Sequence, residues 1–245
     1  MEKQLKVRVR TLPIIKNKES LAAGDKVYAV WMNKTVAMFN IGKKKLEKGM
    51  NILGAHIDSP RMDVKQNPLY EKGGFAYLDT HYYGGIKKYQ WGATPLALPL
   101  AIHGVVAKTN GDVMTVNIGE DKNDPVFCVT DLLIHLSQEQ LKKRADSVIE
   151  GEQLDILFAS RPLEGKEKEA VKEAVLALLE KKYDMKEEDF LSAELEIVPA
   201  GKARNCGIDE SMIMAYGQDD RVCAYTSLVA MLEADDPEKT TCCLL

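Results

Sequence analysis

The sequence predicts an α/β protein, and three observations carry that reading. Short runs rich in β-branched and aromatic residues recur along the chain, several of them split by turn residues. Two stretches, residues 164–183 and the segment from Gly217 to Leu232, carry apolar positions at helical spacing instead. Between them in character stands the apolar run at residues 51–58, which ends in His56-Ile57-Asp58 just before Pro60. Read as a buried strand, it places Ile52, Gly54, His56 and Asp58 on one face, because side chains alternate with period two. Pro60 cannot donate to a ladder, so the strand stops there and offers a polar pair at its carboxyl end. In open α/β sheets that end is where ligands bind.

The elements follow in order. Residues 1–20 are basic and weakly patterned, with Leu12-Pro13 as a breaker. Residues 26–30 and 35–41 form a hairpin around Asn33-Lys34, and the strand at 51–58 follows Gly49. Residues 62–65 and 75–83 read as further strands, the second closing on Tyr82-Tyr83-Gly84-Gly85. Those paired glycines mark a tight turn or a close backbone approach; with no helix start after them they do not read as a phosphate loop. After Pro95 and Pro99 come strands at 101–108 and 113–118, joined by Asn110-Gly111, a turn type that asks for positive φ at both central residues. Asp124-Pro125 opens a strand at 126–129. Thr130 or Asp131 then caps an expected helix to about Lys143, with Leu132, Leu133 and Leu136 as its stripe and His135 beside them. Residues 153–159 form a strand. The helix at 164–183 shows Val171, Val175, Leu178 and Leu179 on one face, and residues 194–198 return as a strand. A last helix after Arg221 presents Val222, Tyr225, Leu228, Val229 and Leu232, and residues 240–245 begin another strand.

Composition narrows the function. With 45% hydrophobic and 29% charged residues in 245, the chain is long enough to bury a substantial core. A net charge of -4, with no basic run denser than Lys43-Lys44-Lys45, argues against a nucleic-acid surface; that lysine run reads as a solvated turn. No apolar stretch approaches the roughly 20 residues of a membrane span, and no signal-peptide core follows Met1-Glu2-Lys3-Gln4. The expectation is a cytoplasmic protein without a membrane partner. Five cysteines, odd in number and without a C-x-x-C pair, read as reduced thiols.

Two places carry candidate chemistry. In His56-x-Asp58 an imidazole nitrogen can ligate a metal while the carboxylate orients the ring; the alternative is a strand end with a satisfied core histidine. Asp219-Asp220 opens a helix, where adjacent carboxylates either cap it and complement its dipole or ligate a metal. Asp235-Asp236 and Glu187-Glu188 are acidic pairs in polar helix-end or turn contexts and read as solvated.

Four motifs in order resemble those of the aminopeptidase I or aspartyl aminopeptidase family of di-zinc metallo-aminopeptidases. Gly54-Ala55-His56-Ile57-Asp58-Ser59-Pro60-Arg61 is similar to its first metal motif and Tyr82-Tyr83-Gly84-Gly85-Ile86 to the segment leading out of its catalytic domain. Asp131-Leu132-Leu133-Ile134-His135-Leu136 is similar to a histidine-bearing helix of its dimerisation domain, and Gly217-Gln218-Asp219-Asp220-Arg221-Val222 to its second metal motif. The resemblance runs from about Leu21 to Leu245 and does not cover residues 1–20.

It implies a discontinuous zinc-exopeptidase-like catalytic domain, residues 1–91 and 193–245, interrupted by an inserted α+β dimerisation domain at 92–192. It implies His56 as a zinc ligand, Asp58 as the carboxylate that orients the His56 ring and Asp219 as the carboxylate bridging two zinc ions, with Asp220 as second choice and manganese or cobalt as alternative metals. The Asp219–Asp220 peptide is expected to be cis. His135 is expected to reach a neighbouring subunit's site and stabilise the oxyanion; the alternative is a helix-surface histidine. Peptide substrates and a homo-oligomer, dimer-based and up to a dodecamer, complete the expectation. The family places a Glu-Glu pair, general base then ligand, shortly after the strand at Thr240, followed by another acidic ligand and a histidine. These 245 residues hold none of them, so the resemblance implies an amino-terminal portion, with the carboxyl-terminal part of the catalytic domain missing, that hydrolyses no peptide by itself. The other reading is a non-catalytic oligomerisation protein that retains the insertion.

Overall fold

A computed structural model describes residues 20–92 and 98–245; residues 1–19, with Leu12-Pro13, and 93–97, with Pro95, lie outside the described residues. The chain divides into two compact units. One combines the described part of Met1–Ser59 with Gly217–Leu245, and the other is Pro60–Tyr216. The divisions therefore fall at Pro60 and Gly217, not near residues 92 and 193. The physical reason lies in strand pairing: the strands between Arg61 and Tyr83 share one sheet with those of the expected insertion.

In the first unit, β1 (Lys26–Trp31) and β2 (Thr35–Asn40) form the expected hairpin, turning through Met32 and Asn33, which both take positive φ. β3 (Asn51–Gly54) and β13 (Thr241–Leu244) complete a sheet of order β1-β2-β13-β3. β13 pairs antiparallel with β2 and parallel with β3, so this strand is central, flanked on both sides. Among the described residues β3 is the edge: Ile52 is 67% exposed, and the strand ends at Gly54, four residues before the expected end. A strand with one neighbour cannot be the buried element its apolar run suggests. The closing helix, Gln218–Glu233, lays Leu228, Met231 and Leu232 on Met38 and Cys243, while Val222, expected on that face, is exposed. Around it, Asn40 Nδ2 donates to Ala234 O at 2.7 Å and Lys26 Nζ to Leu232 O at 2.7 Å, satisfying carbonyls that the helix leaves unpaired at its end. The Lys43-Lys44 run and the acidic loop before β13 pair with each other, Lys43 with Asp236 and Lys44 with Glu238, though all four side chains remain largely exposed.

The second unit is built on a seven-stranded sheet, order β7-β6-β10-β4-β5-β9-β8. Its strands are β4 (Arg61–Lys72), β5 (Phe75–Tyr83), β6 (Leu100–Ala107), β7 (Val113–Ile118), β8 (Cys128–Val129), β9 (Ile156–Ala159) and β10 (Ala193–Pro199). β4 runs past its expected end because an irregularity between Val64 and Leu69 absorbs Pro68, and such a break is one of the places where a proline fits a ladder. Gly84 has φ +75°, and a Cβ there would lie 3.3 Å from Pro60, the close approach its sequence suggested. A five-residue helix, α1 (Lys88–Gly92), does follow that turn. Between β6 and β7 only Gly111 takes positive φ, not Asn110. The loop is five residues long, Ala107 pairing with Val113, so a wider turn with one left-handed residue replaces the two-residue type. Helix α2 (Ala170–Tyr183) starts six residues later than expected and buries Val171, Val175 and Leu179; Leu178 is 58% exposed. Its first turn has no local cap. Glu71 of β4 supplies one instead, its carboxylate accepting from Val171 N at 2.8 Å and Lys172 N at 3.0 Å. A short ribbon of β11 (Arg204–Cys206) and β12 (Met212–Met214) follows β10, and the helix Gln218–Glu233 is α3 in chain order.

The helix expected over residues 131–143 is absent. Turns and a 3-10 turn at Gln140–Lys142 occupy that stretch, and Leu132, Leu133, Ile134 and Leu136 are all more than half exposed. An apolar stripe with nothing to pack on gives a short helix no tertiary support. No helix among the described residues is long and apolar enough to cross a membrane, and all five cysteines are free thiols.

Candidate metal centre

The candidate centre lies within the first unit, where two segments distant in sequence meet. β3 and β13 run parallel, so their carboxyl ends coincide, and Ala55 N still donates to Leu244 O before the chain leaves the sheet. His56 and Asp58 therefore sit on an extended loop just beyond the strand, not on the strand itself. The second segment is the start of α3. Gly217 is left-handed, φ +78°, and the next residues resist helical geometry, with Asp219 at φ -92°, ψ 112° and Asp220 at φ -117°, ψ 34°. The peptide joining Asp219 to Asp220 is cis, as the resemblance implies.

These segments gather an imidazole and three carboxylates. His56 Nε2 lies 3.4 Å from Asp219 Oδ1 and 3.8 Å from Asp220 Oδ2. On the ring's other side, Nδ1 is 3.1 Å from the Asp58 main-chain oxygen and 3.3 Å from its carboxylate. A proton on Nδ1 is thus held by Asp58, which leaves the Nε2 lone pair directed at the aspartates. The Asp58 carbonyl, followed by the Asp220, Asp58 and Asp219 carboxylates, holds the imidazole pKa above its usual value in the metal-free chain, against a smaller opposing effect of desolvation. Asp219 is the open member, its side chain 88% exposed against 19% for Asp220.

The donor set suits a metal such as zinc. Two ligands of one tetrahedral zinc, each roughly 2.0–2.1 Å from it, stand about 3.3 Å apart, close to the separation of His56 Nε2 and Asp219 Oδ1. No group of three or more His, Cys, Asp or Glu side chains among the described residues is arranged to hold a metal ion, so the residues present amount to part of a shell. His135 belongs to the second unit, exposed in a turn where Leu136 N donates to Leu133 O, not on a helix.

Sequence reasoning passed over Ser59 and Gly217. Ser59 is 7% exposed and its hydroxyl donates to the Asp219 carbonyl at 3.0 Å. A Cβ on Gly217 would fall 3.1 Å from Ser59 Oγ and 3.0 Å from Arg221 Cζ. The available signal was a serine wedged between the candidate carboxylate and the proline that ends the strand.

Comparison with known proteins assigns this arrangement a lineage. Residues 2–244 match the family model described as aminopeptidase I zinc metalloprotease (M18). The chain belongs to the M18 family. Among M18 relatives, a probable M18 family aminopeptidase 1 of Clostridium acetobutylicum is 59% identical over 233 residues, covering 95% of this chain and 49% of that protein. Its counterpart in Thermotoga maritima is 50% identical over 214 residues, 87% of this chain and 46% of the relative. The crystal structure of aminopeptidase I from Clostridium acetobutylicum is similar across 100% of this chain and 54% of its own, with a TM-score of 0.87 and 55% identity. An M18 aminopeptidase structure from Thermotoga maritima gives 0.89 at 43% identity, over 99% of this chain and 52% of its own. The chain thus spans about half the length of the curated M18 relatives it matches, and it shares their α/β fold.

Proposed function

We propose that this chain contributes one side of the zinc centre of a metallo-aminopeptidase, an enzyme that removes amino-terminal residues from peptides with a metal-activated water. The observation that carries the reading is the 3.4 Å approach of His56 Nε2 to the Asp219 carboxylate, between residues 163 positions apart. In this reading His56 and Asp219 are metal ligands, Asp219 shared between two ions. Asp58 fixes the His56 tautomer and ring orientation through Nδ1, and Asp220, 3.8 Å from Nε2, is the alternative ligand. When bound, zinc would polarise the scissile carbonyl and lower the pKa of water.

The Pro60–Tyr216 unit is read as the oligomerisation unit. Its cluster of exposed Leu132, Leu133, Ile134 and Leu136 supports burial against a second copy of the chain, in a dimer-based assembly up to a dodecamer. His135, within that cluster, would then reach the partner's site and stabilise the oxyanion. Five free thiols support a reducing, cytoplasmic setting.

The test is zinc binding to the 245-residue chain by isothermal titration, with manganese and cobalt in parallel. His56→Ala and Asp219→Ala should each weaken zinc binding at least tenfold while far-UV circular dichroism stays that of the wild type. Equal affinity in wild type and both variants would overturn the assignment.

A further inference from the structure

Ser59 has no part in the metal reading above, yet its hydroxyl bonds one segment of the centre to the other. In a regular helix the Asp219 carbonyl would accept from the amide four residues on. At ψ 112° it cannot follow that course, so the carbonyl is free to accept from a donor outside the helix, in a partly buried setting. Ser59, buried and with its hydroxyl 3.0 Å away, is the donor that meets it. The bond spans 160 positions of sequence and joins the residue after Asp58 to the residue bearing the candidate shared carboxylate. Gly217 makes room for it, since a Cβ there would press on Ser59 Oγ at 3.1 Å.

We propose that Ser59 is a positioning residue of the metal centre: its hydroxyl holds the Asp219 main chain so that the Asp219 carboxylate faces His56 Nε2. The inference rests on the metal reading of His56 and Asp219 and adds the group that sets their distance. In this reading Ser59 is not itself a ligand: its hydroxyl is committed to the Asp219 carbonyl. Its effect comes through Asp219 alone, as outer-shell partners commonly act, at 10- to 100-fold in metal affinity.

The experiment measures the zinc dissociation constant of the full 245-residue chain by competition with a chromogenic chelator, alongside the melting temperature of the metal-free chain. Ser59→Ala should weaken zinc binding 10- to 100-fold. Ser59→Thr, which keeps the hydroxyl, should return it to within about threefold. Gly217→Ala, which keeps Ser59 but crowds its oxygen, should weaken binding in the same direction, and Ser59→Ala with Gly217→Ala should cost less than the two effects added. This second route holds even if Ser59→Ala proves too unstable to purify. A serine with a merely structural role would lower the melting temperature and leave the zinc affinity of the folded chain unchanged. Wild-type affinity in folded Ser59→Ala or Gly217→Ala, or a threonine variant no better than alanine, overturns the proposal. Zinc binding that His56→Ala leaves untouched would instead overturn the metal reading, and the proposal with it.

Discussion

Asp189 offers the sharpest test of how the Pro60–Tyr216 unit holds together. Its carboxylate is 2% exposed and accepts two main-chain amides from different parts of the chain, Lys186 N at 2.8 Å and Thr109 N at 2.9 Å. It thereby fastens the 3-10 turn Glu187–Ser192 to the loop between β6 and β7. Burial pushes its pKa up, but the amides of Lys186 and Thr109, the Thr109 hydroxyl and the charge of Lys108 together outweigh it and hold the group below the usual carboxylate value. In Asp189→Asn one oxygen becomes an NH2 group that faces an amide donor, so one charge-assisted bond is lost, one is weakened and a buried donor is left over. With roughly 1.5–3 kcal/mol for a hydrogen bond to a charged group and about 1–3 for an unmet buried donor, the loss should be about 3 kcal/mol at pH 7. For a unit of this size that lowers the melting temperature by about 6–12 °C. The pH dependence has a definite sign. Because the folded pKa is depressed, the stabilisation is complete above the unfolded value near 3.9 and disappears as pH falls through the folded one. Urea titrations of wild type and Asp189→Asn should therefore show a gap that is constant from pH 7 to about 5 and closes below about 4. A gap under about 0.5 kcal/mol at pH 7, or one undiminished near pH 3, would refute the reasoning.

Two further outcomes follow from the same geometry. Glu71→Ala removes the borrowed cap of α2 and should destabilise the chain by about 1–2 kcal/mol, with Glu71→Gln losing less because an amide oxygen still accepts; equal melting temperatures for wild type and Glu71→Ala would contradict the capping role. The 245-residue chain supplied with zinc, manganese or cobalt should show no turnover of chromogenic aminoacyl substrates, acidic or neutral, because no third side chain is arranged with the candidate ligands His56 and Asp219 to hold a metal among the described residues. Metal-dependent turnover that His56→Ala abolishes would mean that another side chain completes the site.

What the sequence determined by itself is what depends on near neighbours. The β1–β2 hairpin, the strand pair around Asn110-Gly111 and the buried stripe of Val171, Val175 and Leu179 were all legible, because turn preference and side-chain periodicity act over a few residues. So were His56-x-Asp58 and Asp219-Asp220 as candidate donors, by residue type and spacing. Periodicity says which residues share a face but not what covers it. Tertiary structure alone decided that β13 is central and β3 an edge, since their parallel pairing joins residues about 190 positions apart. It also left residues 131–143 without a helix, exposed Leu178 and Val222, and joined β4 and β5 to the sheet of the second unit. At the candidate metal centre the sequence supplied the candidate donors, and the fold supplied their distance. That distance rests on Ser59 and Gly217, whose roles are a hydroxyl's reach and an absent Cβ, and neither leaves a periodic trace in the chain.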